Sequence, residues 1–490
     1  MMRVSCLFAS MLLSALSAQA AAQGGAVAPR TPAANATAGS IQVAPLSGEP
    51  GVSAVIPAPV PVPMDSVPPL ASDSEAAQQQ QQQALKKIAL LRVTVKSTTP
   101  ERNFLSGLFS SSVRPVDTEL LAEMNRVIEQ YPDLPDTAEV YQLKAQVHQR
   151  IENYHAAALD WLVSVAAYPD SSFAVEARNG LKELSSDQLK SQAKTLQAMT
   201  VKLNTLSGGR EQRVADLLAF LGTLRERDFA APIAAECSAF LMRNRNYPEQ
   251  DRILDALAHQ QALLDNESAI YYFNELLTLY PDSALRADGM LSIGNIQRNG
   301  LKHYEEAATS YKSVIAKYPD SSETKLAYEA LADMYDVNMR DYSNAIKTYD
   351  AIVTRYKDDP LVLRSLQALA HIYQDKTSQP LEAIAAYRKL ADIFKGKDGL
   401  AALLQAEKLA QYTVSDWKLS IDINQSIING YPDSDQAPRA LYANAGIYEE
   451  KLKDREQALS LYQLFVSHYP GHDLAGQAKQ HINALQQQKK

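Results

Sequence analysis

The residues with the clearest potential for chemistry are a histidine pair, His468 and His472, and one cysteine, Cys237. Two imidazoles four residues apart can share a helix face and bind zinc. Here Pro470 and Gly471 lie between them and predict a break in that helix. Cys237 has no histidine or basic residue beside it in sequence to favour its thiolate. We therefore expect no metal site at the histidines and a buried, unreactive cysteine.

Acidic pairs are the other candidates, because two carboxylates can act as general acid and base. Glu305-Glu306, Asp358-Asp359 and Glu449-Glu450 fall at predicted helix starts, loops or exposed faces, which favours solvated surface. The sequence contains no HExxH, CxxC, GxSxG, GxGxxG or Gly-Lys-Ser/Thr motif. We expect no enzyme and no cofactor. An enzyme within residues 85–265 is the less favoured alternative, because no Cys/His pair or clustered carboxylates are visible there.

Residues 1–20 have the pattern of a secretory signal peptide. Arg3 precedes an apolar core that begins at Leu7, and Ala18-Gln19-Ala20 fits the small-x-small rule for cleavage. The segment is too short to remain as a membrane span. Cys6 precedes the apolar core, so it is badly placed for lipid attachment. We expect an exported chain with no transmembrane span after cleavage, and Cys237 alone cannot form an internal disulfide.

Residues 21–84 are rich in Ala, Pro, Ser, Gly and Gln and carry few charges. They include the proline-rich run Pro57–Pro63 and six glutamines, Gln78–Gln83. Such a segment buries too little apolar surface to offset its ordering entropy, so we expect a disordered spacer. The whole chain has a formal net charge of -8 and no long basic stretch, which argues against nucleic acid or anionic lipid as a partner.

From about Leu85 the pattern is that of amphipathic helices, although Leu90–Val95 could form a short strand, and Ser97–Pro115 reads as a loop. Tyr-Pro pairs then recur to the end of the chain. Proline cannot continue a helix, the residue before it disfavours the α conformation, and the Asp or Ser that often follows can cap the next helix. Each pair predicts the end of one helical hairpin; their tyrosines are Tyr131, Tyr168, Tyr247, Tyr280, Tyr318, Tyr431 and Tyr469.

Small and aromatic residues repeat in step with these turns. An alanine followed by an aromatic four residues later describes one face of a helix. The alanines are Ala157, Ala269, Ala307, Ala345, Ala383 and Ala458, and the aromatics are Trp161, Phe273, Tyr311, Tyr349, Tyr387 and Tyr462. A partner helix precedes several of them, with Gly294, Ala332, Ala370 and Ala445 as its small residues. The four consecutive alanines from Ala269 to Ala383 are 38 residues apart.

This pattern resembles the tetratricopeptide repeat, in the longer form with Tyr-Pro-x-Ser turns that is common in bacterial envelope proteins. It is also similar to the families of the Tol-Pal cell-division coordinator and of the outer-membrane assembly lipoprotein. The resemblance implies an all-α solenoid of tetratricopeptide-like helical hairpins with a period of about 38 residues. It covers about residues 117–486, with degenerate repeats over 85–265 and a clearer solenoid with a C-terminal capping helix over 266–490. The repeats depart from the pattern at Ser420 and Asn424, at Glu236, and at the break Ser207–Gly209.

By the same resemblance, the first helix of each hairpin lines a concave groove that binds a partner segment. The residues expected to line it are Asn295, Arg298, Asp333, Asp336, Arg364, Gln367, His371, Gln374, Arg439, Tyr442 and Glu449. Mixed charges and amides suit an extended peptide or a helix of another envelope protein. We expect a periplasmic scaffold in envelope assembly or division, peripheral to the outer membrane. A bridging subunit of a polysaccharide or polymer export machine is the alternative, and the oligomeric state stays open.

Overall fold

The computed structural model of the protein describes residues 73–99, 113–357 and 359–487. These residues form 21 α-helices and no strand, as the sequence predicts. The proposed signal peptide, and the spacer up to residue 72, lie outside the described residues.

The helices from Arg286 onward alternate as the first and second members of five hairpins. The first members are α11 (Arg286–Asn295), α13 (Ser322–Asp333), α15 (Pro360–His371), α17 (Lys397–Leu409) and α19 (Gln436–Ile447). The second members are α12 (Tyr304–Lys317), α14 (Tyr342–Arg355), α16 (Pro380–Ile393), α18 (Trp417–Gly430) and α20 (Arg455–His468). Helix α21 (Ala475–Gln487) packs on α20 and follows the last hairpin. The predicted solenoid of hairpins is confirmed.

A π-helical turn extends every one of these first helices. The turns are Ile296–Leu301, Met334–Met339, Ile372–Lys376, Ala410–Val414 and Tyr448–Leu452, and each begins 38 residues after the one before. A non-glycine residue with positive φ follows each turn, which is a conformation that side chains disfavour. These residues are Lys302, Arg340, Ser378, Ser415 and Lys453. The wide turn and the left-handed residue together reverse the chain into the second helix.

Small residues and aromatic rings pack between the two helices of a hairpin. All six alanines of the predicted stripe are fully buried, and Tyr311, Phe273 and Tyr462 are almost completely buried. A Cβ added at Gly294 would lie 2.8 Å from Cε1 of Tyr311, so the ring occupies the space above the glycine. Contact at this distance requires a small residue on the first helix.

The Tyr-Pro turns end the second helices. Tyr168, Tyr280, Tyr318, Tyr431 and Tyr469 each follow the last residue of a helix and donate their backbone N–H to the carbonyl four residues earlier. Tyr131 does the same after α2 (Pro115–Gln130). Tyr247 differs, because its helix, α8 (Arg227–Arg243), ends at Arg243. Proline chemistry therefore marks most hairpin boundaries.

The N-terminal part of the array is also helical but less regular. Its remaining helices are α3 (Thr137–Arg150), α4 (Tyr154–Ala167), α5 (Ser172–Ser186), α6 (Ala193–Leu203), α7 (Arg210–Gly222), α9 (Gln250–Gln261) and α10 (Asn266–Leu279), with a short 3₁₀ turn at Lys190–Gln192. Helix α4 contacts α3, α5, α7 and α8, and it is buried from Ala156 to Ala167. Helix α7, for example, packs against α4 as well as against its neighbours in sequence. Because α4 contacts helices that are distant in sequence, the 38-residue pattern is weak in this part of the chain.

The start of the helical region differs from the expected boundary. Helix α1 (Asp73–Thr98) includes the glutamine run Gln78–Gln83, which we placed in the disordered spacer, and Leu90–Val95 is helical rather than a strand. Alanine, glutamine and glutamate are good helix formers, and Ala84 and Ile88 are buried. Packing of this later part on α2 and α3 allows the helix to extend through the glutamines. Most of the predicted loop Ser97–Pro115 lies outside the described residues.

In the hairpin α17–α18, polar contacts replace the packing of alanine and aromatic ring. Ser420 and Asn424 replace the alanine and the aromatic, and both are buried. Asn424 Nδ2 donates to Oδ1 of Asn444 over 2.9 Å, and the Ser420 hydroxyl donates to Glu407 Oε1 over 3.1 Å. Buried polar groups are tolerated where they find such partners.

Among the helices of the described ranges, none combines the length and the apolar character that crossing a bilayer requires.

Replacing Ala345 with leucine tests the packing of the second helix. Ala345 has no exposed surface, so the larger side chain must displace its neighbours and should lower the free energy of unfolding by about 1–3 kcal/mol. Lys347→Leu, on the exposed face of the same helix, is the matched control. Urea unfolding followed by circular dichroism measures both. Equal stabilities would show that α14 does not pack through Ala345.

Candidate functional site

Candidate residues on α11, α13 and α15, and on the π-helical turns that extend the first two, form what we call the polar strip: Asn295, Arg298, Asp333, Asp336, Arg364, Gln367 and His371. Two tyrosines of the second helices donate hydrogen bonds to residues of the strip. The Tyr311 hydroxyl donates to Oδ1 of Asn295 over 2.9 Å, and the Tyr349 hydroxyl donates to Oδ1 of Asp333 over 3.0 Å. Each tyrosine therefore buries its ring in the hairpin and presents its hydroxyl to the strip.

Two arginines connect neighbouring first helices along the strip. From the end of the α11 segment, Arg298 donates through Nε to Asn338 Oδ1 and through Nη1 to the carbonyl of Ala330, both over 3.1 Å. On α15, Arg364 Nη1 lies 2.6 Å from Oε1 of Glu329 on α13. These contacts place the guanidinium groups across the boundaries between hairpins.

One carboxylate of the strip, Asp336, has a raised pKa. Burial raises the pKa of Asp336, and Asp333 adds to the increase, while His371 and Lys376 oppose it. Burial also raises the pKa of Tyr311 to about 12, although Arg298 acts in the other direction. The tyrosine hydroxyls therefore remain protonated donors.

At the α15 end the strip is open to solvent. Arg364, Gln367 and His371 are exposed. His371 Nδ1 lies 2.7 Å from Oδ2 of Asp375 on the following π turn. Gln374, also on that turn, is half-buried. These side chains remain accessible to another protein.

The last three candidates lie near the final helix, α21. Glu449 accepts a hydrogen bond from the Tyr462 hydroxyl over 3.0 Å and lies 2.8 Å from His481 of α21. Tyr442 faces Gln477 of α21, with 3.4 Å between hydroxyl and amide oxygen. Arg439 lies 3.6 Å from Asp473, just before that helix. Tyr442 and Glu449 contact α21, and Arg439 contacts the segment that precedes it. The repeat pattern alone did not indicate these contacts.

A group of buried charges lies in the irregular part of the array. Asp160 on α4 lies 3.0 Å from Lys144 Nζ and 2.6 Å from His148 Nδ1, and Glu236 on α8 pairs with Arg243. These side chains come from three separate helices, α3, α4 and α8, so their spacing in the sequence gives no sign that they meet. Burial opposes the charge of Lys144, but the facing Asp160 and Glu236 raise its pKa overall. Each carboxylate faces a cation, so removing one partner would leave a buried charge unpaired.

The first candidates for chemistry occupy structural positions. Burial, with the neighbouring Glu236 adding to it, raises the pKa of the Cys237 thiol well above its usual range, so the thiol stays protonated. Helix α20 ends at His468, as the proline and glycine predict. His472 lies beyond that end, and its Nδ1 accepts a hydrogen bond from the backbone N–H of Leu474 over 3.1 Å.

Comparison with known families gives a match to the tetratricopeptide repeat at residues 288–321 and 439–472. These two segments are tetratricopeptide-like. The first spans α11 and α12, and the second spans α19 and α20. Repeats of this type generally bind protein partners. Comparison with curated proteins gives no match.

Solved structures with similar helical arrays were also found. Yeast Tom70 aligns with 14% identity over 76% of this chain and 86% of its own, with a TM-score of 0.21. The Cut9-Hcn1 hetero-tetramer of the APC/C aligns with 13% identity over 77% of each chain, with a TM-score of 0.25. A monomeric mutant of IFIT1 in complex with m7Gppp-AAAA aligns with 12% identity over 81% of this chain and 99% of its own, with a TM-score of 0.24. At these scores the alignments carry no argument about this chain.

Removing one member of the buried charge group should destabilise the protein strongly. Asp160→Ala removes the carboxylate that pairs with Lys144 at 3.0 Å and leaves this buried lysine with the more weakly coupled Glu236. The expected cost is about 3–5 kcal/mol. Glu123→Ala, which removes the exposed pair with Arg126, should cost less than about 1 kcal/mol. Chemical unfolding of both variants measures the difference. Similar small losses would mean that the Asp160 cluster is solvated.

Proposed function

We propose that this protein is an exported scaffold that holds partner proteins in the cell envelope through the polar strip. The observation that supports this most is the continuity of the strip. Tyrosine hydroxyls, carboxylates, guanidinium groups and exposed amides follow one another across three successive first helices.

The chemistry of the strip favours a protein segment as its ligand. It offers both charge signs together with amides, which suits hydrogen bonding to peptide groups and to mixed polar side chains. It has no run of basic residues that would favour nucleic acid, and the formal net charge of the chain is -8. A partner segment would extend from Arg298 past Asp336 to Gln367.

The location in the envelope rests on the sequence. The residues before Ala20 have the pattern of a secretory signal, and the Tyr-Pro-x-Ser turns resemble those of bacterial envelope proteins. We propose a periplasmic location, peripheral to the outer membrane, and a role in envelope assembly or division. Fractionation of cells, with the protein detected in the periplasmic extract, tests this. Recovery only in the cytoplasm would contradict it.

Site-specific photo-cross-linking tests the use of the strip. A photoreactive amino acid at Gln367, which is exposed on α15, should give one or a few discrete adducts with envelope proteins in living cells. The same amino acid at Lys347, exposed on the second helix α14, is the matched control and should give none. Adding Asp336→Asn and His371→Gln should reduce the Gln367 adduct several-fold, because the partner loses charged contacts.

The opposite pattern would contradict the proposal. Adducts from Lys347 but not from Gln367 would move the binding surface to the second helices. Adducts from Gln367 that the two substitutions leave unchanged would show that the strip charges take no part in binding. Circular dichroism of the substituted protein must match the original, which excludes unfolding as the cause of a loss.

A further inference from the structure

A histidine and two aspartates meet between α9 and α11, away from the polar strip. His259 and Asp255 lie one turn apart on α9, and Asp288 lies on α11. One potential ligand atom from each residue lies within 4.8 Å of the other two. His259 Nε2 is 3.4 Å from Asp288 Oδ2 and 3.5 Å from Ser292 Oγ.

The distances are long for hydrogen bonds between charged groups. Charge-assisted N–H···O bonds are usually about 2.7–2.9 Å, whereas His259 Nδ1 lies 3.3 Å from Asp255 Oδ2 and His259 Nε2 lies 3.4 Å from Asp288 Oδ2. Zinc binds histidine nitrogen at about 2.0–2.1 Å and carboxylate oxygen at about 2.0–2.2 Å in a tetrahedron. Two ligands of such an ion are separated by roughly 3.3 Å. The Nε2 to Oδ2 spacing therefore fits shared coordination better than direct pairing.

The neighbours of the His259 imidazole fix its orientation. Its Nδ1 lies 3.1 Å from the backbone carbonyl of Asp255. A proton on Nδ1 points towards that carbonyl and towards Asp255 Oδ2, which is 3.3 Å from the same nitrogen. It leaves the lone pair of Nε2 towards Asp288, the arrangement that metal-binding histidines use. The ring of Phe273 packs edge-on against the imidazole, with 5.0 Å between the centroids.

One carboxylate oxygen gives independent support. Oδ1 of Asp255 is buried and has no hydrogen-bond partner, and a buried acceptor without a partner is costly. The side chains of Asp255 and His259 are 18% and 16% exposed, whereas that of Asp288 is 41% exposed. Solvent and ions can thus reach the group from the Asp288 side.

We propose that Asp255, His259 and Asp288 bind a divalent transition-metal ion of the zinc type. The ion links the hairpin α9–α10 to the hairpin α11–α12, at the junction between the irregular and the regular parts of the array. Its effect is to stiffen this junction, a role separate from partner binding on the strip.

Calorimetric titration with Zn²⁺ alone tests the site, using the processed full-length chain without an affinity tag. The wild type should bind one equivalent and unfold at a higher temperature with the ion present. Asp288→Asn, a half-exposed position where folding is least at risk, and His259→Ala should weaken binding. The loss should exceed the roughly 10- to 100-fold effect that is typical of outer-shell partners. His303→Ala is the matched control, because this exposed histidine also lies near a carboxylate, Glu306, at 4.0 Å.

Three outcomes would overturn the proposal. The wild type could show no heat of binding and no thermal shift. His303→Ala could weaken binding as much as His259→Ala, which would indicate surface binding. Zn²⁺ could bind wild type and Asp288→Asn equally, in which case His259 is only a hydrogen-bonded link between two carboxylates.

Discussion

The contact between an aromatic ring on the second helix of most hairpins and a small residue on the first is the constraint on which the rest of the array depends. Tyr311 lies against Gly294 so closely that a single added carbon would overlap with its ring. The same tyrosine donates its hydroxyl to Asn295, and Tyr349 donates to Asp333 in the next hairpin. One side chain therefore both fixes the distance between the helices and supplies a polar group to the surface that we propose binds partners.

This dependence explains why the sequence predicts so much of the fold. Contacts that repeat every 38 residues leave alanines and aromatics in register, and Tyr-Pro turns end the helices because proline chemistry is local. The π-helical turns were not predictable, because the left-handed residues after them, including Lys302, Arg340 and Ser415, share no residue type. The glutamine-containing start of α1 was missed because composition alone does not show that Ala84 and Ile88 are buried.

For the candidate site, the sequence gives the positions of the residues along the helices but not their side-chain contacts. The repeat places Asp333, Asp336 and His371 on first helices, but it does not give their partners. Arg364 pairs with Glu329 across a hairpin boundary, and α21 contacts Glu449, and both depend on side-chain reach rather than period. The buried charges around Asp160 lie on helices outside the clear repeats, and the group at His259 joins one such helix, α9, to α11. Periodicity carries no signal for such contacts, and only the packing of α4, α8 and α9 reveals them.

The central claim is that the strip binds a partner segment through its charges while the tyrosine packing keeps it in place. The most direct test is an affinity measurement with the partner segment that cross-links at Gln367, made as a synthetic peptide. It would be titrated into the wild type and into Asp333→Asn/Asp336→Asn protein of unchanged helicity. The account predicts weaker binding by about tenfold or more in the variant, a loss of about 1.4 kcal/mol. Equal affinities would contradict it.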